Sequence, residues 1–475
     1  MTVTDRPDLY IDRRRYRRIV WFFGGVILHF AFFDVVLGRI PIVKRAVQNS
    51  RTGRMRRFAR QFRVLAVEMG GVMIKLGQFL SSRIDILPIE VISELIGLQD
   101  EVPAISPPII RRVLRNEFGD LGEHFAEVEF QPLAAASLGQ TMRAWLKGPN
   151  GELGDAVVIK ILRPNIEATV QTDLSALYTV APWVMRYRPI RRRADVPAIM
   201  QEFGKILWEE LDYEQEVRSI KRFQEIFASR PHIYVPHVYE ALSTPRAIVL
   251  ENVENPKISD IEAIDAAGID KERVADALIE AYLFQLFKQG IFHADPHPGN
   301  IFIRPVEPAP GRPDNFQIIF IDFGMIGRLP NDLRGSMGQV LIGLVQKDAR
   351  RIVNAYSNMG FFMPGTDLER IVEAQEIMME RLDGRNLMEL NNPDPEEVME
   401  IGTEFRDILF DFPFQLPQNF VYLGRALGIL SGIAVALNPQ VNPWYQIQRY
   451  GLDLLNVEQQ FDFSADSFQS IFDSV

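Results

Sequence analysis

The sequence predicts an α+β chain of two lobes with an N-terminal helical extension, and three stretches carry that prediction. His293-Ala-Asp-Pro-His-Pro-Gly-Asn300 sets a carboxylate and an amide five residues apart in one short loop. Asp322-Phe-Gly324 follows at the end of the β-branched run Phe316-Gln-Ile-Ile-Phe-Ile-Asp322. Upstream, Asp155-Ala-Val-Val-Ile-Lys-Ile-Leu162 is a second strand, with Lys160 on the side opposite Ile159 and Ile161. An Asp and an Asn at that interval, then an Asp on a strand-edge Asp-Phe-Gly, are what a kinase-type site uses to hold a nucleophile and magnesium against a triphosphate. The combination predicts a two-lobed protein-kinase-like fold.

In chain order, residues 1–60 form a basic N-terminal segment. Residues 1–66 hold 15 Lys/Arg against 4 Asp/Glu, in a chain of formal net charge −10. The cluster Arg13-Arg-Arg-Tyr-Arg-Arg18 adjoins an apolar run, Ile19 to Leu37, that contains Trp21, Phe22, Phe23, Phe30, Phe32 and Phe33. Basic residues beside an aromatic-rich apolar helix suit an anionic bilayer surface. The run is read first as an interfacial or embedded membrane anchor, with a spanning helix and a helix packed on the body as alternatives. Its 19 residues would reach about 28 Å as a helix. His29, Asp34 and the Gly24-Gly25 pair oppose a span.

Residues 61–130 read as a helical extension and 131–253 as the first lobe. Pro132-Leu-Ala-Ala-Ala-Ser-Leu-Gly-Gln140 stands ahead of Lys160, where a glycine-rich phosphate lid is expected. Ala134, Ala135, Ala136 and Ser137 are therefore candidate nucleotide-binding positions, and alanines make such a lid stiffer than glycines would. Lys160 is the candidate cation for the α/β-phosphates. Its acidic partner should lie on a following helix. The run Glu209-Glu-Leu-Asp-Tyr-Glu-Gln-Glu216 offers several, with no pattern to choose among them.

Residues 254–475 read as the second lobe. Tyr282 to Gly290 ends an apolar helix, Asn300-Ile-Phe-Ile303 is a short strand, and the Pro- and Gly-rich stretch Pro305 to Asn315 is a hairpin loop leading to the strand before Asp322. In this frame Asp295 takes the catalytic-base position, and Asn300 and Asp322 hold magnesium. ATP and Mg2+ are the expected cofactors. After Asp322-Phe-Gly324 the chain runs through Met-Ile-Gly-Arg-Leu-Pro330 into an apolar helix, with no A-P-E segment and no long activation loop. A kinase that docks peptides needs that platform, so the pattern favours a small-molecule or lipid-linked role, or coupled ATP hydrolysis. Val421 to Leu437 carries Gly424, Gly428 and Gly432 at four-residue spacing, an interval that lets helices approach closely. Arg425 and the Asn438-Pro439 stop favour a buried second-lobe helix over a membrane one. The tail from Asn456 to Val475 is acidic and amphipathic.

Other chemistries drop out. His293 and His297 are spaced i, i+4, but Ala294 stands where a zinc H-E-x-x-H helix needs Glu, and Pro296 and Pro298 oppose a helix. No G-x-x-x-x-G-K-[ST] is present, which removes a Walker-type phosphate loop. The N-terminal aromatics lie in one block rather than between Lys and Arg, which argues against nucleic acid. With no cysteine, disulfides and thiolate chemistry are excluded. The N-terminal apolar run lacks the small-residue site of a cleavable signal peptide. At 475 residues and 47% apolar composition, the chain can bury large cores.

Lys75-Leu-Gly-Gln78 within Gly70-Gly-Val-Met-Ile-Lys-Leu-Gly-Gln-Phe-Leu-Ser-Ser-Arg83, with Ala134-Ala-Ala-Ser137, Val158-Ile-Lys160, Glu210-Leu-Asp212, His293 to Asn300 and Asp322-Phe-Gly324, resembles the UbiB family of atypical kinases. The match runs from about Phe62 to about Asn442. The resemblance implies that the K-x-G-Q helix covers the active site, with Lys75 reaching toward the nucleotide and Gln78 beside it. Glu210 and Asp212 of E-x-D would support that helix. It selects Glu216 as the partner of Lys160, places Glu251 at the end of Ile248-Val-Leu-Glu251 beside the adenine, and keeps Asp295, Asn300 and Asp322 in the roles above. It further implies a protein on the cytoplasmic side of a membrane, peripheral or N-terminally anchored, that supports isoprenoid quinone biosynthesis. The implied partners are ATP, a membrane lipid or isoprenoid quinone precursor, and quinone-biosynthesis enzymes. A protein or small-molecule kinase and a non-catalytic nucleotide-binding scaffold for lipid enzymes are the alternatives. Two stretches depart from the family pattern: Gln140-Thr-Met-Arg-Ala144, where relatives more often have Val-His-Arg-Ala, and Arg163-Pro-Asn165, where they have Arg-Pro-Gly.

Overall fold

The computed structural model of the chain describes residues 10–37, 51–81, 87–95, 103–186, 188–191, 195–363, 365–382 and 418–442, with a few single positions between them. Two compact units divide the chain: Met1–Arg218 with His237–Asn252, and Ser219–Pro236 with Val253–Val475.

The first unit begins with helices α1 (Arg13–Phe30), α2 (Arg51–Met69), α3 (Val72–Ser81), α4 (Ile89–Leu95) and α5 (Pro107–Phe118). An antiparallel sheet follows, built from β1 (Phe125–Val128), β2 (Ala134–Ala135), β3 (Gly139–Lys147) and β4 (Leu153–Leu162). After β5 (Ile233–Tyr234), which belongs to the second unit, β6 (Ala247–Glu251) completes it in the order β1-β3-β4-β6, with β2 on β3. The period of two in β4 sends Val157, Ile159 and Ile161 into a core with Met142, Ala144, Val249 and Leu114 of α5. Lys160 is left on the opposite face. Between the strands lie α6 (Ile166–Val184) and α7 (Val196–Glu210). Asn165, before α6, has φ +54°, a left-handed conformation that Asn tolerates better than most side chains. That conformation suits Asn at the position where the family pattern expects Gly.

The N-terminal run packs on this unit along one face. Asp12 caps α1 by accepting from the amides of Arg14 and Arg15. Tyr16 hydrogen-bonds Thr179 of α6 at 2.8 Å, Ile19 is fully buried, and Gly24 lies beside Trp183. Asp34, in the π-helical continuation Ala31–Val36, pairs with Arg54 of α2 at 2.6 Å. The opposite face exposes Trp21 (79%), Leu28 (71%) and Phe32 (52%). Arg13–Asp34 is long and apolar enough to cross a membrane by length and composition, yet one of its faces is committed to α6 and α2.

The acidic run 209–216 is divided. Glu210 ends α7, and α8 (Tyr213–Phe227) restarts after Asp212, whose carboxylate accepts from the Gln215 amide at 2.8 Å. This split places Glu210 and Glu216 on different helices.

In the second unit β8 (Ile301–Pro305) and β9 (Phe316–Phe320) form the antiparallel hairpin expected around 305–315, and β5 runs parallel to β9. Helix α9 (Lys271–Leu283) ends in a π-helical turn, Phe284–Gln289, and leads into β7 (Ile291–His293), which pairs with β10 (Ile326–Arg328). Helices α10 (Asn331–Gln346), α11 (Ala349–Asn358), α12 (Leu368–Leu382) and α13 (Gln418–Leu437) follow. Helix α13 packs on α9, with Leu423, Ala426, Leu430, Ile433, Ala434 and Leu437 buried. Its glycines correct the expectation from their spacing. Gly424, Gly428 and Gly432 face outward, with no described atom within 4 Å of a Cβ built on any of them. The larger apolar side chains win the packing face because they bury more area. The segment Asn456 to Val475 lies outside the described residues, as do Ser82 and Arg83.

Candidate active site

In the first unit the lysine of β4 meets the first turn of α8. Lys160 Nζ donates to both oxygens of Glu216, at 2.7 and 2.9 Å, and lies 5.4 Å from the centre of the Tyr213 ring. Glu216 is 3% exposed. Of the four glutamates in the acidic run, this is the one that the sheet lysine bonds.

The same unit holds a second lysine–glutamate pair. Lys75 on α3 donates to Glu210 Oε1 at 2.7 Å, whereas Asp212 caps α8. The two acids of E-x-D thus have separate tasks. Only Glu210 holds the helix that carries Lys75. Gly77 lets that helix seat closely: a Cβ there would overlap the Leu98 side chain and come within 3.3 Å of Phe62, so both would have to shift. Gln78 is partly buried, and its carbonyl accepts from Ser81 Oγ at 2.7 Å.

The alanine-rich stretch is less free than a loop. Ala134 and Ala135 form β2 and pair with Thr141 and Gln140 of β3. The Ala136 amide donates to Gly139 at 3.0 Å, and the Ala136 carbonyl accepts from Arg163 Nε at 3.1 Å and Nη2 at 3.0 Å. Ser137 is buried. Gly139 leaves no room for a side chain: a Cβ would sit 2.7 Å from the Tyr213 hydroxyl and 2.8 Å from the Ile161 carbonyl. Gln140, also buried, accepts from the Ile105 amide at 2.7 Å. Glu251 ends β6 and accepts from the His237 amide at 3.1 Å.

In the second unit the loop of Asp295 and Asn300 is tied to the strand end of Asp322. Asn300 Nδ2 donates to the Asp295 carbonyl at 3.3 Å, and the Ile321 amide donates to the Asn300 carbonyl at 3.1 Å. The Gly324 amide donates to Asp322 Oδ1 at 3.0 Å. His293 Nε2 bonds the Asp322 carbonyl, so the two motifs are clamped from both ends. His293 is itself held, its amide by Gln285 Oε1 at 2.8 Å and its carbonyl by the Tyr282 hydroxyl at 3.0 Å. Burial lowers the His293 pKa, against the raising influence of Asp295 and Asp322, which favours a neutral ring at this junction.

Arg425, read from the sequence only as a mark of a second-lobe helix, is the site residue that sequence reasoning missed. From α13 its Nη2 donates to Asp295 Oδ1 at 2.9 Å, so the carboxylate at the base position already faces a guanidinium. A single arginine inside an apolar, otherwise uncharged helix was the available signal, because such a charge needs a partner. Tyr282 and Gln285 were also passed over as ordinary members of an apolar helix.

The ABC1 atypical kinase-like domain matches residues 97–356. The chain is 32% identical over 414 residues to Protein ACTIVITY OF BC1 COMPLEX KINASE 7, chloroplastic, of Arabidopsis thaliana, covering 87% of this chain and 57% of that protein. It is 31% identical over 383 residues to a probable protein kinase UbiB of Histophilus somni, covering 80% of this chain and 68% of that one. A Mycobacterium tuberculosis protein solved in complex with erythromycin shares the fold, with a TM-score of 0.54 at 20% identity, over 83% of this chain and 94% of its own. With a domain match over more than half its length and relatives of both the chloroplast and the bacterial type, the chain belongs to the ABC1 atypical kinase-like family, the UbiB family of atypical kinases.

Proposed function

We propose that the chain binds Mg-ATP and acts as an atypical kinase or ATPase at a membrane surface, in support of isoprenoid quinone biosynthesis. The observation that carries the nucleotide reading is the Lys160–Glu216 pair at 2.7 Å. In kinase-type sites a glutamate on a helix holds the strand lysine where it meets the α/β-phosphates. Asn300 and Asp322 supply one amide and one carboxylate oxygen donor. Among the described residues, no group of three or more His, Asp or Glu converges as a metal cage. That donor set fits magnesium, which keeps waters and binds through one or two carboxylates plus substrate phosphates. When bound, the ion would neutralise phosphate charge. The protein's part is to hold Asp322 and Asn300 through the hydrogen bonds above. Ala134 to Ser137 would cover the phosphates, Glu251 would lie by the adenine, and Lys75 with Gln78 would restrict access. The quinone assignment rests on the family resemblance alone.

A second reading, a non-catalytic nucleotide-binding scaffold, is favoured by one contact: Arg425 occupies an oxygen of Asp295. One experiment separates the two. ATP turnover of the full chain, with and without anionic vesicles and a quinone-precursor analogue, should rise on the vesicles. Magnesium-dependent ATP binding without turnover under any of these conditions would leave the scaffold.

The membrane part has its own test. Removing α1 would strip Asp173 of the arginine it bonds, so point changes are cleaner than truncation. Trp21→Ser, Leu28→Ser and Phe32→Ser together should weaken co-sedimentation with anionic vesicles by at least about 100-fold, since each side chain contributes roughly 1.5 kcal/mol or more when buried in lipid. Equal partitioning of variant and parent would remove α1 as the contact.

A further inference from the structure

Asp173 of α6 has no part in the proposed nucleotide chemistry, yet it is the buried centre of a junction. Its side chain is 0% exposed and accepts from Arg15 Nε at 2.6 Å and from Arg15 Nη2 at 2.7 Å. Burial pushes this carboxyl above its ordinary range and the Arg15 guanidinium opposes the push. The same guanidinium reaches further. Its Nη1 donates to the Met69 carbonyl at 2.8 Å, and Nη2 makes a longer contact, 3.5 Å, to the Gly70 carbonyl.

Those two carbonyls end α2 and open the turn into α3. Gly70 and Gly71 both lie at positive φ, +64° and +53°. Two successive glycines in that region have unusual backbone freedom, so the turn needs an outside tie to hold one angle. The Gly70 carbonyl also receives the Met73 amide at 3.2 Å, and the Gly71 carbonyl receives the Lys75 amide at 3.1 Å. Lys75 therefore stands one helical turn from Gly71, the residue next to the arginine's anchor, and its ammonium bonds Glu210. A Cβ built on Gly71 would meet the Ser137 carbonyl at 3.7 Å, so the turn also borders the alanine-rich stretch.

We propose that Arg15 is a positioning residue for the K-x-G-Q helix: it locks the Gly70-Gly71 turn to α6 and α1 and so fixes where α3 presents Lys75. Only a planar fork of donors serves a carboxylate on one side and carbonyls on another, so Lys is no substitute. The effect on turnover rests on the reading of Lys75 given above. The positioning itself does not.

Hydrogen exchange with mass spectrometry on the full chain decides it. Arg15→Lys should speed amide exchange in peptides covering 72–81 by about tenfold or more through local opening, with peptides from α9 at parent rates. Tyr16→Phe removes another contact of α1 with α6 without touching the turn, and should leave 72–81 at the parent rate. If Arg15→Lys fails to fold, Arg15→Gln with Asp173→Asn removes both charges together and carries the same expectation. Unchanged exchange at 72–81 in the arginine variant overturns the proposal. So does an equal increase in Tyr16→Phe, because any loosening of α1 would then act alike. If the parent itself turned over no ATP, the functional reading would fall while the exchange result still judged Arg15.

Discussion

Asp322→Asn should abolish magnesium-dependent nucleotide binding, while Asp295→Asn should leave binding near the parent value and lower turnover. The first change removes a carboxylate that the Gly324 amide orients. An amide there gives up the charge that offsets a divalent ion, so affinity for Mg-ATP should fall by more than about 100-fold. On the proposed assignment the second change removes a base, worth about 100-fold or more in turnover, while Asn300 and Asp322 stay in place. Titration calorimetry with ATP, with and without magnesium, reads the first, and a steady-state assay reads the second. Unchanged Mg-ATP affinity in Asp322→Asn would remove the metal assignment.

Lys160→Met should destabilise the first unit as well as weaken nucleotide binding. Glu216 is nearly fully buried and bonds the ammonium through both oxygens. Loss of one partner of a buried pair costs about 3–5 kcal/mol, whereas neutralising both is far milder. Because Lys160 keeps 19% side-chain exposure, the lower end of that range is expected, about 3 kcal/mol. Lys160→Met with Glu216→Gln should recover most of it. Denaturant unfolding of the two single variants and the pair supplies the cycle. Additive losses would mean that the pair is not coupled.

Local patterns were legible in the sequence, and distant pairings were not. The five-residue interval from Asp295 to Asn300 is a property of one loop, and the alternation that turns Lys160 away from Ile159 and Ile161 is a property of one strand. Both survive without tertiary knowledge. The Lys160–Glu216 pair joins residues 56 apart, across a helix break at Asp212 that the acidic composition of the run conceals. Only family resemblance singled out Glu216. Arg15 and Asp173 are 158 apart, and nothing in the Arg13 to Arg18 cluster distinguishes the one arginine that points inward. The glycines of α13 misled for a different reason. Spacing marks a face of a helix without saying whether that face meets anything, and the Leu and Ile stripe next to it took the contact with α9.

Arg425 changes what counts as the interchangeable unit in this family. The domain match ends at residue 356, and every motif read as contacting phosphate or metal lies before that point. Yet the guanidinium facing Asp295 comes from α13, well beyond it. A chimera that spliced residues 97–356 onto a relative's C-terminal segment would carry the whole phosphate and metal signature and still inherit the hydrogen-bond partner of Asp295 from the other parent. Differences in activity between such hybrids would then track the foreign helix rather than the motifs by which the family is recognised.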